Sequence, residues 1–292
     1  MTKIIYLLLI LYLSFFNSQN KKIVNKIDSL NFTEDIQKFI SNENNKINYH
    51  LKIEDKINYD FYCNVISDSL KTNQIWGKGD FDKNGLTDLL VTGNTSDGPQ
   101  TIYILDKGDH FESKSLSMGT LYEACSFSSV KNDKIEYLSV KILNKFGYLS
   151  KLTKENLVYK YNAFIEENTN PKTHNILDIK YENTGSHWSR NPLKIEVISN
   201  RDVIWTTGNS ENFQSKISEK EFKQIVELLN YIDFENLNDE YEVGYSDSST
   251  NYLTITYDNL KVKKIRDYGG MGTRGLRKLY DILLDLKNLN IK

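Results

Sequence analysis

Residues 80–88, with the sequence DFDKNGLTD, carry oxygen-bearing side chains at a spacing that suits a divalent cation. Calcium takes about six to eight hard oxygen ligands, and loops that wrap it have side-chain oxygens at positions 1, 3 and 5 and glycine at position 6. This stretch has the required side chains in that order, with Gly85 at the sixth position. We therefore predict a structural calcium ion bound by Asp80, Asp82, Asn84, Leu86 (through its carbonyl) and Asp88.

The residues after the loop exclude a helix-loop-helix calcium site. Such sites end with a bidentate glutamate at position 12, where this chain has Val91. The run Leu89–Thr92 is strand-like. The alternative to a calcium site is a hairpin turn at Asn84–Gly85 whose acidic neighbours only add solubility.

Residues 77–92, with their D-x-D-x-N-G-x-x-D-L pattern, resemble the loops of FG-GAP and VCBS-type repeats of secreted β-propellers and adhesins. The resemblance implies that the loop binds calcium and joins the strands of a β-meander. A propeller needs at least about four blades, whereas the pattern occurs once in this chain. We therefore expect a lone repeat embedded in a β-sheet, with weak binding, on the order of 10⁻⁴–10⁻³ M as in extracellular modules.

Gly270, Gly272 and Gly275 have the G-x-G-x-x-G spacing of a dinucleotide-binding fingerprint. That fingerprint also needs a parallel second strand and a ribose-binding acid about 20 residues later. Here the preceding strand is predicted to pair in a hairpin, and the downstream acids lie within the predicted helix itself. The sequence therefore indicates a strand-to-helix turn, with a weak anion site of helix amides, Arg274 and Arg277 as the alternative.

The sequence lacks the common catalytic motifs. There is no H-E-x-x-H and no G-x-S-x-G, and Cys125 with His110 or His174 has no local protease signature. Acids at Asp239–Asp247 are the alternative basis for a hydrolase-like enzyme. The residues His187–Arg190 would form a polar-aromatic binding patch or half-buried packing.

The first 18 residues have the composition of a secretory signal peptide, because a lysine precedes an apolar run that ends in small polar residues. We therefore expect an exported protein, periplasmic or extracellular, with no membrane span after cleavage; the alternative is an uncleaved N-terminal anchor. In an oxidising compartment Cys63 and Cys125 would form a disulfide, or they would be two separate buried thiols. The net charge of −2 gives no field that would attract nucleic acid.

The first half is predicted to be β-rich. A short helix is expected over residues 31–40 with Asn31 as its cap, and from about Leu51 the pattern becomes strand-like. The polar segment at residues 166–173 is the predicted domain boundary. The predicted strands are Leu89–Thr92, Thr101–Leu105, Ile135–Leu143 and Leu157–Tyr161.

The second half is predicted to be an antiparallel sheet with two helices on one face. Ser218 and Glu221 form a capping box before one helix, Asp258–Asn259 turn a hairpin, and a last helix spans residues 273–286. The fold class is thus α+β, with residues 19–170 as the β-rich domain and residues 174–292 as the α+β domain. The predicted strands of this half are Ile176–Tyr181, Leu193–Ser199, Val203–Thr207, Tyr252–Tyr257 and Val262–Tyr268.

The C-terminal half also resembles a domain family of unknown function from exported bacterial proteins. The resemblance lies in VISNRDVIWTTGN, in ISEKEFKQIVELLNYIDFENLNDEY and in SDSSTNYLTITYDNLKVKKIRDYG. It implies a fold and no activity. The sequence therefore predicts an exported, non-enzymatic binding protein stabilised by calcium, with a protein or glycan partner; the alternatives are the hydrolase and an inhibitor or immunity-type partner protein.

Overall fold

A computed structural model describes residues 25–42, 47, 50–54, 61–70, 74–119, 122–142, 150–186, 192–208 and 212–286. The predicted signal peptide at residues 1–18 and the HWSR stretch at 187–190 lie outside these residues. Among the described helices, none combines the length and the apolar character needed to cross a bilayer.

The described residues form four α-helices, one 3-10 turn and fifteen strands. The helices are α1 (Thr33–Ser41), α2 (Phe61–Leu70), α3 (Glu219–Tyr231) and α4 (Arg274–Asp285), and the 3-10 turn is Phe234–Asn236. The strands are β1 (Trp76–Gly79), β2 (Asp88–Thr95), β3 (Gly98–Asp106), β4 (Phe111–Ser115), β5 (Glu123–Lys131), β6 (Lys134–Ile142), β7 (Ser150–Lys160), β8 (Ala163–Glu166), β9 (Ile176–Asn183), β10 (Leu193–Ile198), β11 (Asp202–Thr207), β12 (Asn212–Lys216), β13 (Glu240–Glu242), β14 (Thr250–Tyr257) and β15 (Lys261–Tyr268).

These strands make three sheets, so the protein is β-rich. The first sheet has the order β1-β2-β3-β4 and the second the order β5-β6-β7-β8. The third has seven strands in the order β12-β11-β10-β9-β14-β15-β13. Neighbouring strands are antiparallel except β13, which runs parallel to β15.

The helix predicted near residue 31 is present, but its predicted cap is wrong. The helix begins at Thr33, and Phe32 occupies the cap position without a side-chain hydrogen bond. The Asn31 side-chain amide instead donates to the Ser29 carbonyl at 3.1 Å, which is the local bonding that competes with capping. The buried face of the helix, with Ile36, Phe39 and Ile40, has the predicted helical spacing.

Helix α2 corrects the expectation of strands from about Leu51. Its sequence, FYCNVISDSL, is rich in aromatic and β-branched residues, whose helix propensity is low. Tertiary contacts outweigh this preference, because Cys63 is buried and bonded to Cys125 of β5. Of the two alternatives predicted for the cysteines, the structure therefore has the disulfide and not two separate thiols.

The C-terminal sheet buries one face against both of its helices. Ile195 and Val197 of β10 join a core with residues of α3 and α4, whereas Lys194 and Glu196, which alternate with them, face away from that core. The capping box is confirmed, since Ser218 Oγ accepts from the Glu221 N–H at 3.2 Å and Glu221 Oε2 accepts from the Ser218 N–H at 2.7 Å.

The segment predicted as a domain boundary is docked on the second half. Strand β8 ends at Glu166, and Ile165 belongs to the C-terminal core. The Asn168 amide donates to the Tyr231 carbonyl at 2.7 Å. The β7–β8 hairpin therefore packs with the half of the chain that follows it.

Candidate functional site

The predicted calcium loop lies between β1 and β2 and is tied to β3 by Asp88. This residue is fully buried at the start of β2. Its two carboxylate oxygens accept from the Phe81 N–H at 2.7 Å and from the Asp106 N–H at 2.9 Å. Burial raises the pKa of Asp88 to about 7, and the hydrogen bonds and the nearby Asp82 only modify that effect.

Three of the predicted ligands come together. One carboxylate oxygen each from Asp80, Asp82 and Asp88 lies within 4.8 Å of the others. Asp80 is held by the loop itself, because its oxygens accept from the Asn84 and Gly85 N–H groups, each at 3.0 Å. Gly85 has a φ of +85°, which explains why glycine stands at this position.

Asn84, a fourth predicted ligand, makes hydrogen bonds within the loop and to β3. The Asn84 amide oxygen accepts from the Leu86 N–H at 2.7 Å, and the amide nitrogen donates to the Asp106 carbonyl at 2.7 Å. The Asn84 side chain thus connects the loop to β3 through hydrogen bonds. Its amide oxygen has two lone pairs, so it can accept from the Leu86 N–H and coordinate a cation at the same time.

Lys107 was missed by the sequence reasoning, because it lies 25 residues from Asp82. Its ammonium group is 2.5 Å from Asp82 Oδ2 and partly shielded from solvent. It therefore neutralises one of the three acids. A cation bound at the three carboxylates would compete with this ammonium group.

The donor set fits calcium in its chemistry. Three carboxylates supply hard oxygens. Burial disfavours the charged form of Asp88, and a cation bound beside it would offset that cost. Residues of this chain could therefore hold a calcium ion at Asp80, Asp82 and Asp88.

The glycine-rich turn before α4 binds two carboxylates of the protein itself. Asp267 Oδ1 accepts from the Met271 N–H at 2.7 Å and from the Gly272 N–H at 3.2 Å. A Cβ at Gly272 would lie 2.8 Å from Asp267 Oδ2, so this glycine permits the close approach.

The first amides of α4 are also occupied. Glu166 of β8 accepts from the Arg274 N–H at 2.6 Å and from the Gly275 N–H at 2.9 Å. The weak anion site proposed for these amides is therefore filled by an internal carboxylate. This arrangement also gives no room to a pyrophosphate at the helix start.

We expect Glu166→Gln to lower the free energy of unfolding by about 1–3 kcal/mol, because a carboxamide offers one acceptor oxygen and turns a donor toward the second amide. Urea denaturation monitored by circular dichroism measures the change. Glu242→Gln, at an exposed acid, is the control and should leave the midpoint unchanged. Equal midpoints for both variants would show that the contact contributes nothing.

Behind this helix start, Arg274 is buried between the second sheet and the C-terminal half. Its Nε donates to Glu155 Oε2 at 3.0 Å and its Nη1 donates to the Leu116 carbonyl at 2.7 Å. The guanidinium lies 4.6 Å from the centre of the Tyr137 ring. Arg274 thus joins three segments that are far apart in the sequence.

The other candidate catalytic residues are not gathered into a site. The Asp239 side chain is 78% exposed and pairs with Lys263 at 2.7 Å. Glu240, Glu242 and Asp247 are exposed too, which is the arrangement of a solvated surface. Cys125 is bonded to Cys63, so it offers no thiol nucleophile.

The comparisons with known proteins concern mainly the second half. A family model described as a domain of unknown function (DUF6438) matches residues 179–287. No curated protein matches the chain in sequence. A solved structure, Bombyx mori GH32 beta-fructofuranosidase BmSUC1, is similar with 10% identity over 68% of this chain and a TM-score of 0.21. The chain spans 50% of that protein, and a likeness at this TM-score supports no conclusion about fold or activity.

Proposed function

We propose that the protein is an exported, non-enzymatic binding protein whose first sheet is stabilised by calcium. The observation that carries the proposal is the approach of the Asp80, Asp82 and Asp88 carboxylates to within 4.8 Å of one another, in a loop with the D-x-D-x-N-G spacing. The same spacing is the basis of the resemblance to FG-GAP and VCBS-type loops. The proposed role of the ion is structural.

Calcium suits this loop better than magnesium. Magnesium demands near-octahedral geometry and keeps most of its water, whereas calcium accepts irregular oxygen shells. The loop is irregular, and Asp88 already holds it to β3 through the Asp106 N–H. An ion at the carboxylates would fix the remaining side of the loop, next to Asp80 and Asp82.

A binding role for the C-terminal half is supported by the open face of its sheet. This face displays Lys194 and Glu196 of β10, and the large apolar side chains of Tyr252 and Val262 are 42% and 53% exposed. Aromatic and aliphatic groups among paired charges are typical of surfaces that contact proteins or glycans. We propose that a protein or glycan partner binds in the periplasm or outside the cell.

Calcium titration tests the ion. At 10 mM calcium and a Kd on the order of 10⁻⁴–10⁻³ M, the wild type should gain about 1.4–2.7 kcal/mol of stability, or roughly 3–10 °C in melting temperature. Asp82→Asn should lose most of this gain, because it removes one of three anionic ligands. Calorimetric titration and thermal melting measure both quantities.

Two further variants sharpen this experiment. Asp97→Asn removes an exposed acid from the β2–β3 turn and should bind calcium like the wild type. Lys107→Gln removes the ammonium group that competes for Asp82 and should tighten binding about threefold to tenfold. The proposal fails if calcium shifts the melting of neither the wild type nor Lys107→Gln, or if Asp82→Asn responds fully.

A further inference from the structure

A cavity of about 330 Å³ lies where α4 meets β4 and the turn between β7 and β8. Four basic side chains and one acidic side chain line it, which gives a local charge of +3 in a chain whose net charge is −2. These charged side chains are Lys114, Arg274, Arg277, Lys278 and Asp281.

Within the described part of the protein, Asp281 is the acid of this lining, and it lies near Lys114, Arg277 and Lys278 without forming a direct ion pair with them. Arg277 and Lys278 form no ion pair there, and the Lys114 ammonium donates to the Asn162 carbonyl at 3.3 Å. Arg274 is committed to Glu155 through Nε, yet its Nη2 is buried without a hydrogen-bond partner. The Nε of Arg277 is also buried without a partner.

Buried donors without partners are rare in folded proteins because each one costs free energy. Two of them, Arg274 Nη2 and Arg277 Nε, belong to residues that line the same cavity, and these two atoms lie beneath its surface. A guanidinium group binds carboxylate or phosphate through paired N–H donors. From the geometry we infer that this cavity binds a small hydroxylated molecule through a carboxylate or phosphate group.

The other lining residues explain the hydroxylated part of the ligand. Asp281, Ser115 and Asn162 are polar groups that can accept or donate hydrogen bonds to hydroxyls. Leu116 and Phe164 are buried and add an apolar wall. The volume lies at the lower end of the range of about 300–1,000 Å³ found for small-molecule pockets, which suits a ligand as small as a single sugar ring. The shared chemistry is that of a sugar acid or a sugar phosphate.

Isothermal titration with glucose 6-phosphate, glucuronate and glucose tests this inference on the full chain in buffer that contains calcium. At least one of the two anions should bind saturably with a Kd below about 1 mM, and glucose should not. The tighter anion identifies the group that the cavity recognises. Binding of either anion should weaken with rising salt concentration.

The variants separate this cavity from other basic surfaces. Arg277→Met should weaken the anion at least about tenfold, and Arg277→Lys, which keeps the charge without the planar fork, should lie between it and the wild type. Lys264→Gln, an exposed lysine on the C-terminal sheet, should change the affinity less than about twofold. Thermal melting checks that each variant is folded.

Three results would overturn the inference: neither anion binds the wild type below about 1 mM, glucose binds as tightly as the anions, or Arg277→Met binds like the wild type. Asp82→Asn distinguishes this cavity from the calcium loop, because it should keep the anion affinity of the wild type. The anion result and the calcium result can therefore fail separately.

Discussion

Replacing Arg274 by methionine is expected to lower the free energy of unfolding by about 3–5 kcal/mol, because it removes one of the two cations that pair with the buried Glu155 carboxylate. Glu155 would keep only Lys141, whose ammonium lies 2.5 Å from its other oxygen. The Leu116 carbonyl would also lose its donor. Urea denaturation measures the loss, and Lys264→Met, at an exposed lysine, should shift the midpoint little.

A double-mutant cycle identifies the cause. Glu155→Gln alone and Arg274→Met alone should each destabilise strongly, whereas the double variant should cost less than the sum of the two. Strictly additive losses would show that Arg274 acts through packing and not through Glu155. That outcome would contradict the ion-pair explanation.

The same pair gives an expected pH dependence. Burial alone would raise the pKa of Glu155, but Arg274 and Lys141 outweigh it and hold the pKa below its ordinary value. The folded state therefore favours the charged carboxylate more than the unfolded state does. This stability is present above about pH 4.5 and is lost as the pH falls through the lowered pKa. In Arg274→Met, this acid-sensitive part of the stability should shrink.

Removing the Cys63–Cys125 bridge is expected to lower the free energy of unfolding by about 4 kcal/mol, because the bond closes a loop between residues 62 apart. The change corresponds to roughly 8–16 °C in melting temperature. It should be seen in the double variant Cys63→Ser/Cys125→Ser and in the wild type with a reducing agent. The double variant should not respond to the reducing agent.

The bridge should matter locally as well. Helix α2 has weak intrinsic helix propensity and is held to β5 by this disulfide. In the double variant, its amides should therefore lose protection from hydrogen exchange before those of the rest of the protein. If the double variant melts like the wild type and keeps protection in α2, the disulfide does not stabilise this fold.

Local patterns in the sequence were enough to predict both α-helices and five of the seven strands of the second half. The alternation in β10 and the capping box of α3 follow from side-chain periodicity and from one hydrogen-bonded turn. Strand β12 was missed because it lies at a sheet edge and most of its side chains are exposed, so it has no apolar alternation. The short parallel strand β13 gives no such signal either.

The features that depend on distant parts of the chain could not be predicted from local pattern. The loop spacing indicated the acids at Asp80, Asp82 and Asp88, but not the ammonium of Lys107, which reaches Asp82 from the turn after β3. The contact of Arg274 with Glu155 joins residues 119 apart. Pairings of this kind follow from the packing of whole sheets, and a single sequence contains no short-range signal for them.

The carboxylate of Glu166 lies outside residues 179–287, the stretch that matches the family model, yet it completes the first turn of a helix inside that stretch. The matched unit is therefore not self-sufficient in this protein. A protein fragment limited to residues 179–287 would contain α4 without the Glu166 carboxylate that accepts from its first N–H groups. It would also contain Arg274 without its partner Glu155. Transfer of this unit into another protein would therefore require strands β7 and β8 with Glu155 and Glu166, or a neutral residue in place of Arg274.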